Sequence, residues 1–158
     1  MCLAKRPLLC PQQGRGAAAM FMGEYNYTMD EKGRLNLPPR FREQLEQGMV
    51  LTRWMDQCLV LFPQQEWERI CQKLQSRSMV KTRDLQRFLF ALASEAAVDK
   101  QGRILVSPAL RSHAGLQKDV TLIGVGTHAE LWDTKTWHER QAEFGTQELE
   151  AAMEELEL

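Results

Sequence analysis

The sequence has few of the residues from which catalytic and metal centres are usually built. Its 158 residues include only four cysteines and three histidines. The cysteines form no Cys-x-x-Cys pair, and no two histidines stand four positions apart, so neither residue type has the spacing of a metal site. There is no Gly-x-Ser-x-Gly turn and no glycine-rich phosphate loop. We therefore expect a protein that is not an enzyme, with no catalytic residues, no metal and no cofactor.

The sequence also lacks a long hydrophobic run and a strong net charge. No apolar stretch approaches the roughly 18 residues that cross a bilayer, so we expect no membrane partner and a cytoplasmic location. The net charge is −1, without the basic excess typical of nucleic-acid-binding proteins. However, residues 141–158 carry six acids and no Lys or Arg, whereas residues 21–140 carry 17 basic and 15 acidic side chains. This slightly basic body is compatible with a DNA partner without indicating one.

An internal repeat is the clearest pattern in the chain. The segment DEKGRLNLPPRFR at 30–42 aligns with DKQGRILVSPALR at 99–111 at a constant offset of 69. The match continues at an offset of 70, where LVLFPQQEW at 59–67 aligns with AELWDTKTW at 129–137. Two aligned blocks in the same order indicate that the chain arose by duplication of one half-motif.

Each half shows the same local pattern of strands and a short helix. In the first half we expect strands at 25–29, around Leu35–Leu37, at 49–53 and at 58–62, with a helix that begins at Pro39. In the second half we expect the matching strands at 95–98, around Ile104–Val106, at 120–125 and at 129–132, with a helix that begins at Pro108. The fold class predicted is therefore α+β and rich in β-strands.

Two amphipathic helices are predicted between the halves. Their apolar residues have helical spacing: Trp67, Ile70, Cys71 and Leu74 in the first helix, and Leu85, Phe88, Leu89 and Leu92 in the second. We expect a helical hairpin joined near 76–80. Its other side carries a basic residue at every fourth position: Arg69, Lys73, Arg77 and Lys81. These form either a ridge that faces phosphates or an ordinary solvated helix face, and the second interpretation is the simpler one.

These patterns divide the chain into five segments. We predict half-motifs at 24–66 and 95–138, connecting helices at 67–94 and an acidic C-terminal tail at 139–158, which either continues as helix or frays. Residues 1–19 are rich in Ala, Gly and Pro. We expect them to be a disordered extension or the product of a start codon placed too early.

A turn reading Asp-x-x-x-Arg occurs once in each half. It holds Asp30, Gly33 and Arg34 in the first half, and Asp99, Gly102 and Arg103 in the second. An arginine fork can read guanine bidentately, and nearby basic side chains can contact phosphates; here these are Lys32, Lys100, Arg40 and Arg42. The alternative is that each Asp and Arg form a structural ion pair that braces the turn, with the Gly supplying the turn conformation. The residues alone do not separate these two interpretations.

Three segments closely resemble the MraZ family of bacterial transcriptional regulators, whose members carry two AbrB/SpoVT-like half-motifs in one chain. They are MFMGEYNYTMDEKGRLNLPPRFREQL at 20–45, ASEAAVDKQGRILVSPALRSHAGL at 93–116 and ELWDTKTWHE at 130–139. The resemblance implies a swapped-hairpin barrel, formed as an intramolecular pseudo-dimer of the two repeats with the helical hairpin between them. It places Arg34 and Arg103 in the family's DNA-contacting motif, with Lys32 and Lys100 nearby.

The same resemblance implies partners and a location. Family members assemble into ring-like homo-oligomers and bind short direct repeats of double-stranded DNA upstream of the division and cell-wall gene cluster. We accordingly expect a nucleoid-associated regulator that binds tandem repeats in its own promoter region. This sequence has Gln101 where the first half has Lys32, so we expect unequal turns with Arg34 the more important.

The alternative function is an AbrB-like protein-interaction module of the antitoxin type. Antitoxins of this kind usually carry one half-motif and a disordered partner-binding tail, whereas this chain carries two half-motifs. The acidic tail keeps the alternative open. Removal of residues 145–158 separates the two functions, because DNA binding should persist or strengthen in a regulator and partner capture should vanish in an antitoxin.

Overall fold

The computed structural model describes residues 20–158, and the predicted extension at 1–19 lies outside this part of the chain. The first half contains β1 (Glu24–Thr28), β2 (Arg34–Asn36), α1 (Pro39–Gln44), β3 (Met49–Arg53) and β4 (Leu59–Pro63). Two helices follow, α2 (Gln64–Gln75) and α3 (Met79–Ala91). The second half contains β5 (Ser94–Ala96), β6 (Arg103–Leu105), α4 (Pro108–Ala114), β7 (Asp119–Gly124) and β8 (Ala129–Asp133), and is followed by α5 (Thr134–Ala142) and α6 (Thr146–Glu155). The fold is a mixed α+β structure, as predicted.

The strands form two antiparallel sheets, and each sheet contains strands of both halves. The larger sheet has six strands in the order β1-β7-β8-β4-β3-β5, and the smaller pairs β2 with β6. The first strands of the two halves are exchanged, since β1 pairs with β7 of the second half and β5 pairs with β3 of the first. The segments 24–66 and 95–138 therefore share their sheets, and their bounds as separate units stay a prediction.

The expected barrel is not found within residues 20–158. The six-stranded sheet is open, with β1 at one edge and β5 at the other. One reason is the shortness of β5, which spans only Ser94–Ala96 although a strand was predicted at 95–98. Three residues give a ladder too short to continue along the full length of β3 and to close on a further strand.

The two halves bury one common core. The small sheet sets Leu35 opposite Ile104 at its centre, and both side chains are fully buried. Phe41 of α1 and Leu110 of α4 pack into the same cluster. Because the exposed fraction of each of these side chains is near zero, neither half has a complete core of its own. This shared core fixes the two Gly-containing turns relative to one another.

The prolines begin the helices as the sequence predicts. Pro39 and Pro108 stand in the first turns of α1 and α4, where a missing N–H is not needed. In α4 the Ser107 hydroxyl also accepts a hydrogen bond from the Leu110 N–H, at 3.3 Å. No side chain provides such a cap for α1, whose N-cap position is Pro38.

The connecting helices form the predicted hairpin, and its second helix is tied to β3. Trp67 of α2 packs edge-on against Phe90 of α3, with 5.5 Å between the ring centroids. The Thr52 hydroxyl donates a hydrogen bond of 2.5 Å to the Leu89 carbonyl, and the Arg53 Nε donates one of 2.6 Å to the Phe88 carbonyl. These bonds satisfy carbonyls of the last turn of α3, which have no partner within the helix.

The acidic C-terminal segment is helical. After α5, Gly145 occupies the N-cap position of α6, and the helix then runs to Glu155. Every residue from Thr146 to Leu158 is exposed, so α6 does not pack on the body of the protein.

Candidate nucleic-acid interface

The two Asp-x-x-x-Arg turns have the same hydrogen-bonding pattern. In the first, one Asp30 carboxylate oxygen accepts from the backbone N–H groups of Lys32, at 3.0 Å, and Arg34, at 2.8 Å. In the second, one Asp99 oxygen accepts from the N–H groups of Gln101, at 2.8 Å, and Arg103, at 2.9 Å. Each Asp thus replaces a backbone acceptor inside the turn, which explains why Asp occupies the same position in both repeats.

The arginines complete each turn through the second carboxylate oxygen. Arg34 Nε donates to Asp30 Oδ2 at 2.7 Å, and Arg103 Nε donates to Asp99 Oδ2 at 3.1 Å. Among residues 20–158, the terminal guanidinium nitrogens of these two arginines form no hydrogen bond, although Arg103 Nη1 makes a long ion-pair contact of 3.8 Å with Asp30 Oδ2. The Asp therefore fixes the guanidinium through Nε, and the outer fork remains able to donate to a ligand.

The hydrogen bonds lower the pKa of both aspartates from the ordinary Asp value. The largest cause is a backbone N–H in each case, that of Arg34 at Asp30 and that of Arg103 at Asp99. The arginine side chains lower the pKa further by hydrogen bonding and by their positive charge. Both carboxylates are consequently ionised at neutral pH and hold their arginines in a fixed direction.

Backbone hydrogen bonds lock each turn to the other half. The Gly33 carbonyl accepts from the Val106 N–H at 2.8 Å, and the Gly102 carbonyl accepts from the Leu37 N–H at 3.0 Å. Both glycines have positive φ, +88° at Gly33 and +79° at Gly102, a conformation that other residues rarely adopt. The two turns therefore form one rigid unit.

A second pair of arginines supports the turns from the opposite half. Arg111 lies against Gly33 and donates from Nε to the Val106 carbonyl at 3.1 Å. Arg42 lies against Gly102 in the equivalent way, but its Nε is buried and has no hydrogen-bond partner among residues 20–158. A Cβ at Gly33 would lie 2.6 Å from the Val106 oxygen, which is a second reason for glycine at this position.

The structure thus separates the basic residues predicted for the site. Lys32 and Lys100 are exposed in the turns, and Arg40 is exposed on α1. Arg42 is only half-exposed and lies beneath a turn. Arg111 was not among the predicted site residues, although its alignment with Arg42 in the repeat was a signal that both positions serve the same purpose.

The basic positions on α2 and α3 are less suited to binding phosphates. Arg69 donates to the Glu66 carboxylate through both Nε and Nη2, so part of its charge is already neutralised. The ion pair is on the helix surface, at the spacing i, i+3 that ordinary solvated helices use. This arrangement favours the interpretation of a solvated helix face.

The described part of the chain offers few groups for other chemistry. Across residues 20–158, no three His, Cys, Asp or Glu side chains converge in a way that could hold a metal ion. Burial raises the pKa of the Cys58 thiol, which disfavours the reactive thiolate. None of the helices between residues 20 and 158 has the length and apolar character needed to span a bilayer.

Comparison with known proteins identifies similar chains. The sequence model of a family described as "MraZ protein, putative antitoxin-like" matches residues 20–88 and again residues 89–158, which confirms the duplication. The transcriptional regulator MraZ of Heliobacterium modesticaldum is 48% identical over 120 residues, covering 75% of this chain and 84% of that protein. The one of Kineococcus radiotolerans is 46% identical over 120 residues, with the same shares covered. The one of Halothermothrix orenii is 43% identical over 141 residues, covering 87% of this chain and 99% of that protein. These relatives are named as regulators and not as enzymes, in line with the prediction from the sequence.

Proposed function

This chain belongs to the MraZ family, and we propose that it is a sequence-specific DNA-binding regulator of transcription. The observation that carries the proposal is the pair of cross-locked turns, each of which presents one arginine fixed by an aspartate. The relatives named as transcriptional regulators support the same function. In this proposal Arg34 and Arg103 contact bases, while Lys32, Lys100 and Arg40 contact phosphates.

The bracing and reading interpretations of the Asp-Arg pair are compatible. Arg34 donates from Nε to Asp30, and in this proposal its Nη1 and Nη2 donate to guanine in a bidentate contact. A guanidinium that is already fixed loses less conformational freedom on binding than a mobile one. Arg42 takes a positioning role in the proposal, since it lies beneath Gly102 and not at the surface of the turn.

The target proposed is a set of short direct repeats in the protein's own promoter region, upstream of the division and cell-wall gene cluster. One chain presents only two arginine turns, and its body has a small positive charge. A single protomer would therefore bind DNA weakly, whereas a homo-oligomer on tandem sites gains affinity through effective concentration. We accordingly propose a ring-like assembly that is associated with the nucleoid.

The test is fluorescence-anisotropy titration of promoter DNA and scrambled DNA over a series of salt concentrations. We expect wild-type protein to prefer the promoter, and log K to fall with log salt by about 0.9 for each phosphate contact. Arg34→Ala should lose the preference for the promoter. The matched control is Arg69→Ala, which removes an exposed arginine of α2 that lies outside the turns. Equal affinity of wild-type protein for the two DNAs at every salt concentration would refute the proposal.

The antitoxin-type alternative rests on the C-terminal helix α6, whose residues are all exposed, and on the antitoxin-like description of the family. A chain lacking residues 145–158 distinguishes the functions. After the deletion a regulator should still prefer promoter DNA to scrambled DNA, whereas an antitoxin should no longer capture its protein partner.

A further inference from the structure

Helix α6 presents an apolar stripe that nothing covers within the described chain. Leu149 and Met153 of the helix and Leu156 at its C-cap follow the i, i+4, i+7 spacing, and their side chains are half-exposed or more. Acidic side chains border this stripe on both sides: Glu148 and Glu155 on one side, and Glu150 on the other. Such a stripe, left uncovered by residues 20–158, is typical of a segment that binds a partner.

The start of α6 is nevertheless held in place. Phe144, just before the helix, packs edge-on against Trp137 of α5, with 6.1 Å between the ring centroids. The Arg140 guanidinium lies 5.7 Å from the centroid of the Phe144 ring. The chain is therefore anchored just before α6, and the helix itself is exposed along its whole length.

A groove of matching character lies on α3. It is shallow and open to solvent, with a volume of about 600 Å³. Every residue that lines it belongs to α3, and the apolar ones include Met79, Val80 and Phe90. Met79 is 66% exposed and Val80 is 76% exposed, which is unusual for side chains of this type in a helix that packs on a sheet. The groove also contains Arg83 and Arg87. Arg87 is paired with Asp84 at 2.9 Å on highly exposed side chains, an ion pair that contributes little and can exchange partners.

We propose that α6 of one protomer docks in the α3 groove of a second copy of this chain. The stripe of α6 is apolar with acidic borders, and the groove is apolar with arginines, so the two surfaces match in both hydrophobicity and charge. The two helices also have similar lengths, with ten residues in α6 and thirteen in α3. Helix α6 does not occupy the α3 groove of its own chain, because its residues are all exposed in the structure.

This contact is head-to-tail. The docking helix and the groove are different surfaces of the protein, so each copy offers one of each, and repetition closes a ring or extends a chain of subunits. The inference deepens the proposed self-assembly and rests on it, but it makes no use of the DNA-binding turns. The docking of α6 and the reading of DNA by the turns can therefore be refuted separately.

The test measures molar mass by analytical ultracentrifugation, without DNA, over a concentration series that begins in the micromolar range. Wild-type protein should form an oligomer. The α6 variant Leu149→Asp/Met153→Asp and the groove variant Val80→Asp/Arg83→Glu should each sediment as a monomer of 18.2 kDa. All four substitutions are at exposed positions, and circular dichroism establishes that each variant is folded.

The decisive sample is an equimolar mixture of the two monomeric variants. The α6 variant keeps an intact groove and the groove variant keeps an intact α6, so the mixture should form a dimer and no larger species. The controls are Ala151→Asp on the other face of α6 and Lys81→Glu on the other face of α3, which should leave the wild-type mass unchanged. The proposal is overturned if wild-type protein is a monomer, if either variant keeps the wild-type mass, or if the mixture stays monomeric.

Discussion

The two Asp-x-x-x-Arg turns have nearly the same backbone and different side-chain surroundings. Arg34 is 35% exposed and bonded to its own aspartate, whereas Arg103 is 25% exposed and lies near the aspartates of both turns. The arginine beneath each turn also differs, because Arg111 beneath Gly33 is hydrogen-bonded, whereas Arg42 beneath Gly102 has an Nε without a partner among residues 20–158. The duplication has thus preserved the bracing of the turn more strictly than the groups that surround the arginine.

The largest expected difference between the two turns is in the stability that is lost when their glycines are replaced. Gly33→Ala should lower the free energy of unfolding by about 2–5 kcal/mol, since it combines a positive φ with a clash against rigid backbone. At Gly102 the new Cβ would meet the guanidinium of Arg42, which is the movable end of a side chain, so we expect a loss of about 1–3 kcal/mol. Chemical denaturation measures both.

The matched control for these substitutions is Gly115→Ala. Gly115 has a φ of +60° and no atom within 4 Å of an added Cβ, so it reports the backbone strain alone, about 1–2 kcal/mol. Equal losses at the three glycines would show that the Val106 carbonyl does not restrict Gly33.

The next difference is in DNA affinity. Arg34→Ala should weaken binding to the promoter by about 5- to 150-fold, which corresponds to about 1–3 kcal/mol. Arg103→Ala should have a smaller effect, because Arg103 is less exposed and lies near a second carboxylate. Titration of the same promoter DNA with both variants makes the comparison. A larger loss for Arg103→Ala would reverse the order of the two turns.

A smaller effect is expected from the neighbouring positions, where the first turn has Lys32 and the second has Gln101. Lys32→Gln should reduce the slope of log K against log salt by about 0.9, and Gln101→Lys should increase it by the same amount. Lys135→Gln, an exposed lysine of α5, should leave the slope unchanged. If it changes the slope as much as Lys32→Gln does, the lysine of the turn has no special contact with phosphate.

The smallest effect is that of pH. The pKa of Asp30 and of Asp99 is lowered on folding from 3.8, so their contribution to stability is present above that value and is lost as the pH falls through the lower folded values. These two groups should therefore cause no change in unfolding free energy between roughly pH 5 and pH 8. In acid, Asp30→Asn/Asp99→Asn should lose stability less steeply than wild-type protein. The measurement is the midpoint of thermal unfolding as a function of pH. An equally steep fall in acid for the variant and wild-type protein would contradict this expectation.

Much of the local structure could be predicted from the sequence. The repeat, the strands, and the helices that begin at Pro39 and Pro108 are features of short-range pattern, and the structure confirms them. The family resemblance is also confirmed, because the family's model matches both halves. The Asp-Arg contacts could be foreseen because both residues are in one turn.

The remaining features depend on contacts between distant parts of the chain. The pairing of β1 with β7 joins residues about a hundred positions apart, and local alternation carries no information about that partner. For the same reason Arg42 was expected at the surface, whereas it lies beneath Gly102 of the other half. The barrel implied by the resemblance was wrong for the described chain, since an open edge follows from the length of β5 and not from its pattern.

The central claim is that a fixed arginine fork in the turn reads bases, and Arg34→Lys tests it most directly. Lysine keeps the positive charge but lacks the bidentate fork. The measurement is the ratio of affinities for promoter and scrambled DNA at one salt concentration, for wild-type protein and the variant. The account predicts that the ratio falls by about tenfold or more while affinity for scrambled DNA stays the same. An unchanged ratio would show that Arg34 contributes only charge and would contradict base reading by this turn.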